Sequence, residues 1–320
     1  MNFSSVTPTP AIHLQVPLII HIMYGILSNI AIIGNLLVLI VSIHSRSVIK
    51  GPLHTLIFCL AIMDMMTGIV AFITPGFAFA YDTFPYPNGT AGLLYCRLID
   101  SEYFFFSFGF VSIYIVLLIS LERWCAIAKP WRYQIVFSVK NCRITVLIIV
   151  VLQLSLTLEN TLNMNHKSGN IPPCIWGSIF ADALARNVFF IVMETIRLFI
   201  PVCIIVLCYL DIARRLLSRA KIGHTENTIK AAARRRATVM AFSASIMLII
   251  CWLPNELYFT LYQFKVIDLD EILHKTFKIL IIFNSSINPF VYASTNELYR
   301  NGLFKLFAYS RWRCYSSSKA

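Results

Sequence analysis

Residues 55–80 read TLIFCLAIMDMMTGIVAFITPGFAFA, a run whose one charged side chain is Asp64. A helix needs about 20 mainly apolar residues to cross the hydrocarbon core of a bilayer, and this stretch supplies them. Backbone groups in lipid cannot go unpaired, so an isolated apolar run must cross as a helix. Working outward, six more such stretches lie at approximately 17–43, 103–128, 144–163, 187–210, 237–262 and 274–294. The alternation of a membrane barrel is absent. Of 320 residues, 58% are hydrophobic and 13% charged, with a mean hydropathy of +0.72. Soluble domains carry about 25% charged residues, so the solvent of this chain is largely lipid. The expected fold class is an all-α membrane protein, a seven-transmembrane helix bundle. It divides into an extracellular N-terminus at 1–16, the bundle at 17–294, and an amphipathic helix with a cytoplasmic tail at 295–320.

Charge placement orients the spans. Residues 1–20 contain no Lys or Arg, whereas the loop after span five holds Arg214, Arg215, Arg219, Lys221, Lys230, Arg234, Arg235 and Arg236. The loop after span three adds Lys129, Arg132, Lys140 and Arg143. The positive-inside rule then places the N-terminus outside and the C-terminus in the cytosol. The net charge of +12 is read as a topology signal, and nucleic acid is not expected as a partner. No basic start precedes a short apolar core, so no cleaved signal peptide is expected. The glycosylation acceptors Asn2-Phe3-Ser4 and Asn88-Gly89-Thr90 both fall on the outer side. Of nine cysteines, Cys96 and Cys174 lie where thiols oxidise. A bridge between them would tie the outer end of span three to the loop after span four, and two separate external thiols is the alternative.

Ionisable groups inside a membrane are costly and mark function by default. Asp64 sits mid-span, and Asn35, Ser112, Asn284, Ser285 and Asn288 supply small polar groups at similar depth on other spans. A carboxylate among hydroxyls and amides, with no nearby cation, suits a small hard ion such as sodium. A hydrated network around a protonated Asp64 is the alternative. Pro201, Pro254 and Pro289 lie inside spans five, six and seven. Each removes a backbone donor and bends its helix, which would let the inner halves swing.

Six motifs follow in order along the spans. They are Gly34-Asn35, Leu60-Ala61-Ile62-Met63-Asp64, Glu122-Arg123-Trp124, Pro201 with Tyr209, Cys251-Trp252-Leu253-Pro254, and Asn288-Pro289-Phe290-Val291-Tyr292. Together they closely resemble the rhodopsin-like, or class A, family of G-protein-coupled receptors, over nearly the whole chain. The resemblance implies that Arg123 is a switch arginine held by Glu122 at rest and released to meet a heterotrimeric G protein. It implies that Trp252 sits below the ligand and moves with the bend at Pro254, and that Tyr209 and Tyr292 swing inward in the active state. Asp64, Ser112, Asn284 and Asn288 match the family's sodium pocket, an allosteric ion being the only cofactor expected. Leu303, Phe304 and Phe307 beside Arg300 and Lys305 look like the family's short amphipathic eighth helix, with Cys314 a candidate for palmitoylation. Arrestin, a receptor kinase and membrane lipids are the further partners implied, at the plasma membrane.

The chain also departs from the pattern. Trp124 replaces the usual tyrosine, Gln153 stands about where span four normally has tryptophan, and Leu248 replaces a phenylalanine packed under Pro201. Arg234 occupies a position where some members carry an acid that locks the switch arginine, so raised basal activity is expected. Cys96 precedes Arg123 by 27 positions, two more than usual.

The ligand pocket is expected among the outer halves of spans three, five, six and seven. Its candidates are Phe105, Phe106, Gly109, Glu194, Arg197, Asn255, Glu256, Tyr258 and Lys278. Glu194 and Arg197, three apart, share a helix face, and in the family arrangement Glu256 faces Lys278. Two internal ion pairs that merely neutralise each other is the bland alternative. Phe105 stands where monoamine receptors place an aspartate, with Asp100 and Glu102 about a turn or more away as the opening left for an amine, and Ile282 stands where opsins carry the retinal lysine, so neither class is expected. Mixed charge with many aromatics suits a peptide ligand, and an acidic lipid held by Arg197 or Lys278 is the competitor. A transporter would show two related halves, a channel a repeated pore-lining pattern, and an enzyme a converging catalytic set. None of these is visible.

Overall fold

The structure is a computed structural model that describes residues 16–44, 51–83, 85–167, 173–221, 229–297 and 299–306. Asn2, Phe307 and Cys314 lie outside the described residues. Seven long helices form the bundle. The first span is Leu18–His44 and the second Pro52–Ile73. The third is Tyr103–Ala128, preceded by a short helix, Gly89–Tyr95, and a π-helical turn, Cys96–Asp100. The fourth is Val139–Leu156, continued by the short helix Leu158–Asn163. The fifth is built from Ala183–Glu194, a π turn at Thr195–Phe199, and Ile200–Lys221. The sixth is Ile229–Gln263 and the seventh Glu271–Thr295.

The first six are long and apolar enough to cross a membrane. The seventh is more polar because it carries Asn284, Ser285, Ser286 and Asn288, all buried in the bundle. Polarity on that helix is therefore turned into the bundle rather than shown to lipid. Large apolar side chains cover the outside instead: Leu18, Leu147 and Leu207 are each more than 60% exposed. In water such a surface would be an aggregation liability, and in a bilayer it is the solvent-facing side. The third span is the most enclosed, with 67% of its apolar window buried, whereas the fourth is peripheral at 28%. The third packs on the second, fourth, fifth and sixth, while the first packs on the second and seventh.

Local chemistry sets the ends. Ser138, Asp182 and Asp270 cap the fourth, fifth and seventh spans, accepting from the backbone N–H of Asn141, Ala185 and Leu273 at 3.1, 2.9 and 3.0 Å. The second span stops at Ile73 rather than running to residue 80 as its hydropathy suggests. Pro75 biases Thr74 out of the helical region, and Gly76 follows at φ 79, where a Cβ would meet the Tyr81 ring at 2.4 Å.

The two surplus residues between Cys96 and Arg123 are absorbed by the π turn and by a break at Ser101–Glu102, where Glu102 has φ 57. A disulfide joins Cys96 to Cys174, with Cα atoms 5.3 Å apart. It ties the third span to a two-stranded hairpin, Met164–His166 with Cys174–Trp176. Past Asn296 the chain turns helical again at 299–306. Tyr299 is buried there and Leu303 and Leu306 pack on the core, while Phe304, expected on the apolar stripe, is exposed. The apolar face thus follows positions 299, 303 and 306, at helical spacing.

Candidate functional site

Three layers of polar residues run down the axis of the bundle. In the middle, Asp64 is fully buried and accepts from Asn288 Nδ2 at 2.7 Å, Ser285 Oγ at 3.1 Å and Ser112 Oγ at 3.2 Å. Ser285 and Asn288 are three apart and share one helix face. Asn284 is about 100° further round the same helix and makes no hydrogen bond to Asp64, its buried Oδ1 having no partner. Ser285, rather than Asn284, supplies the third donor, a choice that spacing does not make because both lie within one turn of Asn288. Asn35 Nδ2 donates to the Ser285 carbonyl at 3.0 Å. The Oδ1 atoms of Asn35 and Asn288 are buried without partners. A cluster of oxygen ligands with spare acceptors suits a small hard cation, so the residues present fit a sodium ion.

At the end away from the disulfide, Arg123 grips Glu122 through both Nε and Nη2. The Tyr133 hydroxyl donates to Glu122 at 2.5 Å. Burial, then the Glu122 charge, raises the Tyr133 phenol well above its usual value, so it stays a donor. Arg123 sits on a cavity of about 430 Å³ also lined by His54, Tyr133, Arg234 and Ala237. Trp124 donates its indole N–H to Asp211 at 2.8 Å, a bond from the third span to the fifth that tyrosine at this position would have to make differently. Arg215 holds the same carboxylate at 2.7 Å. Tyr209 accepts weakly from Ser120 and Ser245, each at 3.4 Å. The Tyr292 hydroxyl is buried without a partner, its ring 5.8 Å from Tyr299.

On the disulfide side of Asp64, Trp252 lies two residues before Pro254 and is buried, with its ring 5.3 Å from Phe110. Gly109 makes room for it: a Cβ there would stand 2.5 Å from the indole. Leu248 is fully buried one turn away.

The layer nearest the disulfide holds the expected pocket residues. Phe105 is fully buried, 5.0 Å from Phe77 and 5.3 Å from Phe106. Lys278 lies over the Phe77 and Phe106 rings at 5.9 and 5.7 Å. Its ammonium does not take Glu256 as its partner, as the family arrangement suggests; it takes both oxygens of Glu102, at 2.8 and 2.6 Å. The break at Glu102, invisible to periodicity, puts that carboxylate within reach. The pairing of Glu194 with Arg197 is present at 3.5 Å, but Arg197 lies nearer Glu159, at 2.5 Å, and also donates to the Leu156 carbonyl. Glu159 does not stand out in the sequence, since it lies at a helix end where charge is ordinary, and Glu102 is noticed there only as an acid near the amine position, not as the partner of Lys278. Glu256 accepts from Asn255 Nδ2 at 3.0 Å and neighbours Glu194. Tyr258 turns to the connection between spans six and seven, where its hydroxyl accepts from the Asp270 N–H at 2.7 Å.

A bundle of seven membrane helices with a buried acid at its centre and a clamped arginine at one end is the architecture of a transmembrane receptor. The family model of the 7 transmembrane receptor (rhodopsin family) matches residues 34–292, and the chain belongs to that family. Among its relatives, the histamine H2 receptor of Canis lupus familiaris is 25% identical over 305 residues, covering 90% of this chain and 79% of the relative. The C-X-C chemokine receptor type 2 of Mus musculus is 26% identical over 308 residues, covering 90% and 77%. The allatostatin-A receptor of Bombyx mori is 22% identical over 295 residues, covering 88% and 77%.

Proposed function

We propose that this protein is a plasma-membrane receptor, N-terminus outside, that converts binding of a peptide near the disulfide into engagement of a heterotrimeric G protein at the opposite end. The observation that carries this reading is the clamped Arg123 on the rim of a 430 Å³ cavity. A buried arginine whose partner is its own neighbour in sequence can be released by a shift of surrounding helices, and the bend at Pro254 gives the sixth span the means. In this reading the Asp64 cluster holds sodium in the resting state, and arrestin and a receptor kinase use the same inner face. The mixed charges and aromatic rings of the disulfide-end layer support a peptide; the relatives include allatostatin and chemokine receptors beside histamine receptors and so fit a peptide without selecting it. An acidic lipid gains less support, because Arg197 and Lys278 already face carboxylates.

The test is a peptide and lipid library screen on cells expressing the full chain, reading cyclic nucleotide, calcium and arrestin recruitment in parallel. A hit whose response is lost in Arg123→Ala at equal surface expression is expected. Responses that survive Arg123→Ala in every channel would count against the reading. Lys278→Ala against Glu256→Ala then separates the ligand classes, since loss on removing the cation alone favours the lipid.

A further inference from the structure

The carboxylates of the disulfide-end layer are not evenly matched. Lys278 and Glu102 satisfy each other. Beside the fifth span, Glu159, Glu194 and Glu256 surround Arg197, and the other cation near Glu256, Lys278, is held by Glu102. Glu194 and Glu256 are adjacent and both are at least 97% buried. Like charges brought together out of water cannot both stay ionised without a partner. The acceptors there are also left over: Glu194 Oε2 and Asn255 Oδ1 are buried and unbonded, the latter on an amide whose Nδ2 already serves Glu256. Asn255 is 1% exposed. One donor, Arg197 Nε, is unbonded as well, but the guanidinium is committed through Nη2 to Glu159 and the Leu156 carbonyl and through Nη1 to Glu194.

Resting on the receptor reading above, we propose that Glu194, Glu256 and Asn255 form the subsite for a cationic, donor-rich group of the ligand, a guanidinium or primary ammonium such as a basic side chain carries. Its N–H groups satisfy the spare acceptors, and its charge offsets the carboxylates that Arg197 alone leaves unbalanced. The subsite is wired to the switch. Arg197 lies over the Phe110 ring at 5.4 Å, and that ring lies on Trp252 at 5.3 Å. A ligand cation that takes Glu194 from Arg197 changes what holds Phe110, and through it Trp252.

Purified full-length receptor in lipid nanodiscs is melted with agmatine, n-butylguanidinium or n-butylammonium, and with butyrate and n-butanol as anionic and neutral controls. The expected result is a saturable rise in melting temperature with the cations alone. Glu256→Gln and Glu194→Gln should each raise the half-saturating concentration by roughly tenfold, the factor for 1.4 kcal/mol. Should either glutamine variant not be recovered folded, Glu256→Asp, which keeps the charge and shortens its reach, is expected to weaken the response and retain it. No saturable cation effect, an equal effect in the variants, or a larger effect of butyrate overturns the proposal. Nucleotide exchange on a panel of G proteins in the same nanodiscs, wild type against Arg123→Ala, tests the receptor reading separately. Arg123-dependent exchange without a cation response would sink the subsite alone, and exchange indifferent to Arg123 would sink the receptor reading.

Discussion

Asp64 keeps three side-chain donors around a carboxylate deep in the bundle. Removing its charge while keeping its shape separates an ion site from a protonated network. In Asp64→Asn the stabilisation of the purified receptor by sodium chloride over choline chloride should vanish. In the wild type that stabilisation should reach about 1.4 kcal/mol with sodium tenfold above its dissociation constant. A wild type equally stable in both salts would leave Asp64 protonated and the ion site without support. Gly109 is the second informative residue. A methyl placed 2.5 Å from the Trp252 ring must displace it, so Gly109→Ala should cost about 1–3 kcal/mol of stability and change basal nucleotide exchange. An unchanged melting temperature and exchange rate would show that Trp252 is not held there. At this scale the sequence was informative where a polar group interrupts an apolar run, as at Asp64, Asn288 and Arg123. It was less so where the choice was between neighbours on one helix. Asn284 and Ser285 both qualify by composition and by spacing, four and three residues before Asn288, and only the packing of the seventh span against the second separates them.

Among the elements, the third and fifth spans depart most from regular helices, and each departure has a cause. Pro201 has no N–H to offer the Arg197 carbonyl, and the turn before it widens to a π turn that brings Arg197 into the bundle, 2% exposed. The third span gains a π turn at Cys96–Asp100 and a left-handed residue at Glu102, which is how two surplus residues fit without shifting Arg123. Hydropathy located all seven spans because lipid demands it, yet it carries no information on a π turn or on one residue at positive φ. Lys278 therefore feels the Glu256 charge but bonds to Glu102, a partner that depends on that irregular end. Between the same two spans lies the bond from Trp124 to Asp211. In Trp124→Phe, which keeps the ring and loses the donor, basal exchange should rise a few-fold as the third span is freed from the fifth. Basal exchange at or below the wild-type level would show that this bond does not hold the resting state.

For the whole molecule, contacts run from the acid-rich subsite through Arg197 and Phe110 to Trp252, and the Asp64 cluster and the clamped Arg123 follow as separate layers. Lipid fixes the outside of the bundle as a shell of leucines and isoleucines, so the interior is where polar groups can be arranged to favour two packings. Such transitions work through discrete rearrangements of packed elements rather than gradual deformation. The central claim is that the sixth span moves away from the third when Arg123 is released. The most direct measurement is the distance between spin labels attached through unnatural amino acids, one at position 235 on the sixth span and one at position 135 on the short helix Pro130–Val136 that follows the third, in full-length receptor in nanodiscs. The label separation should increase by several ångströms when nucleotide-free G protein binds, and should stay at its resting value in Arg123→Ala. One unchanged distance with and without bound G protein would contradict it.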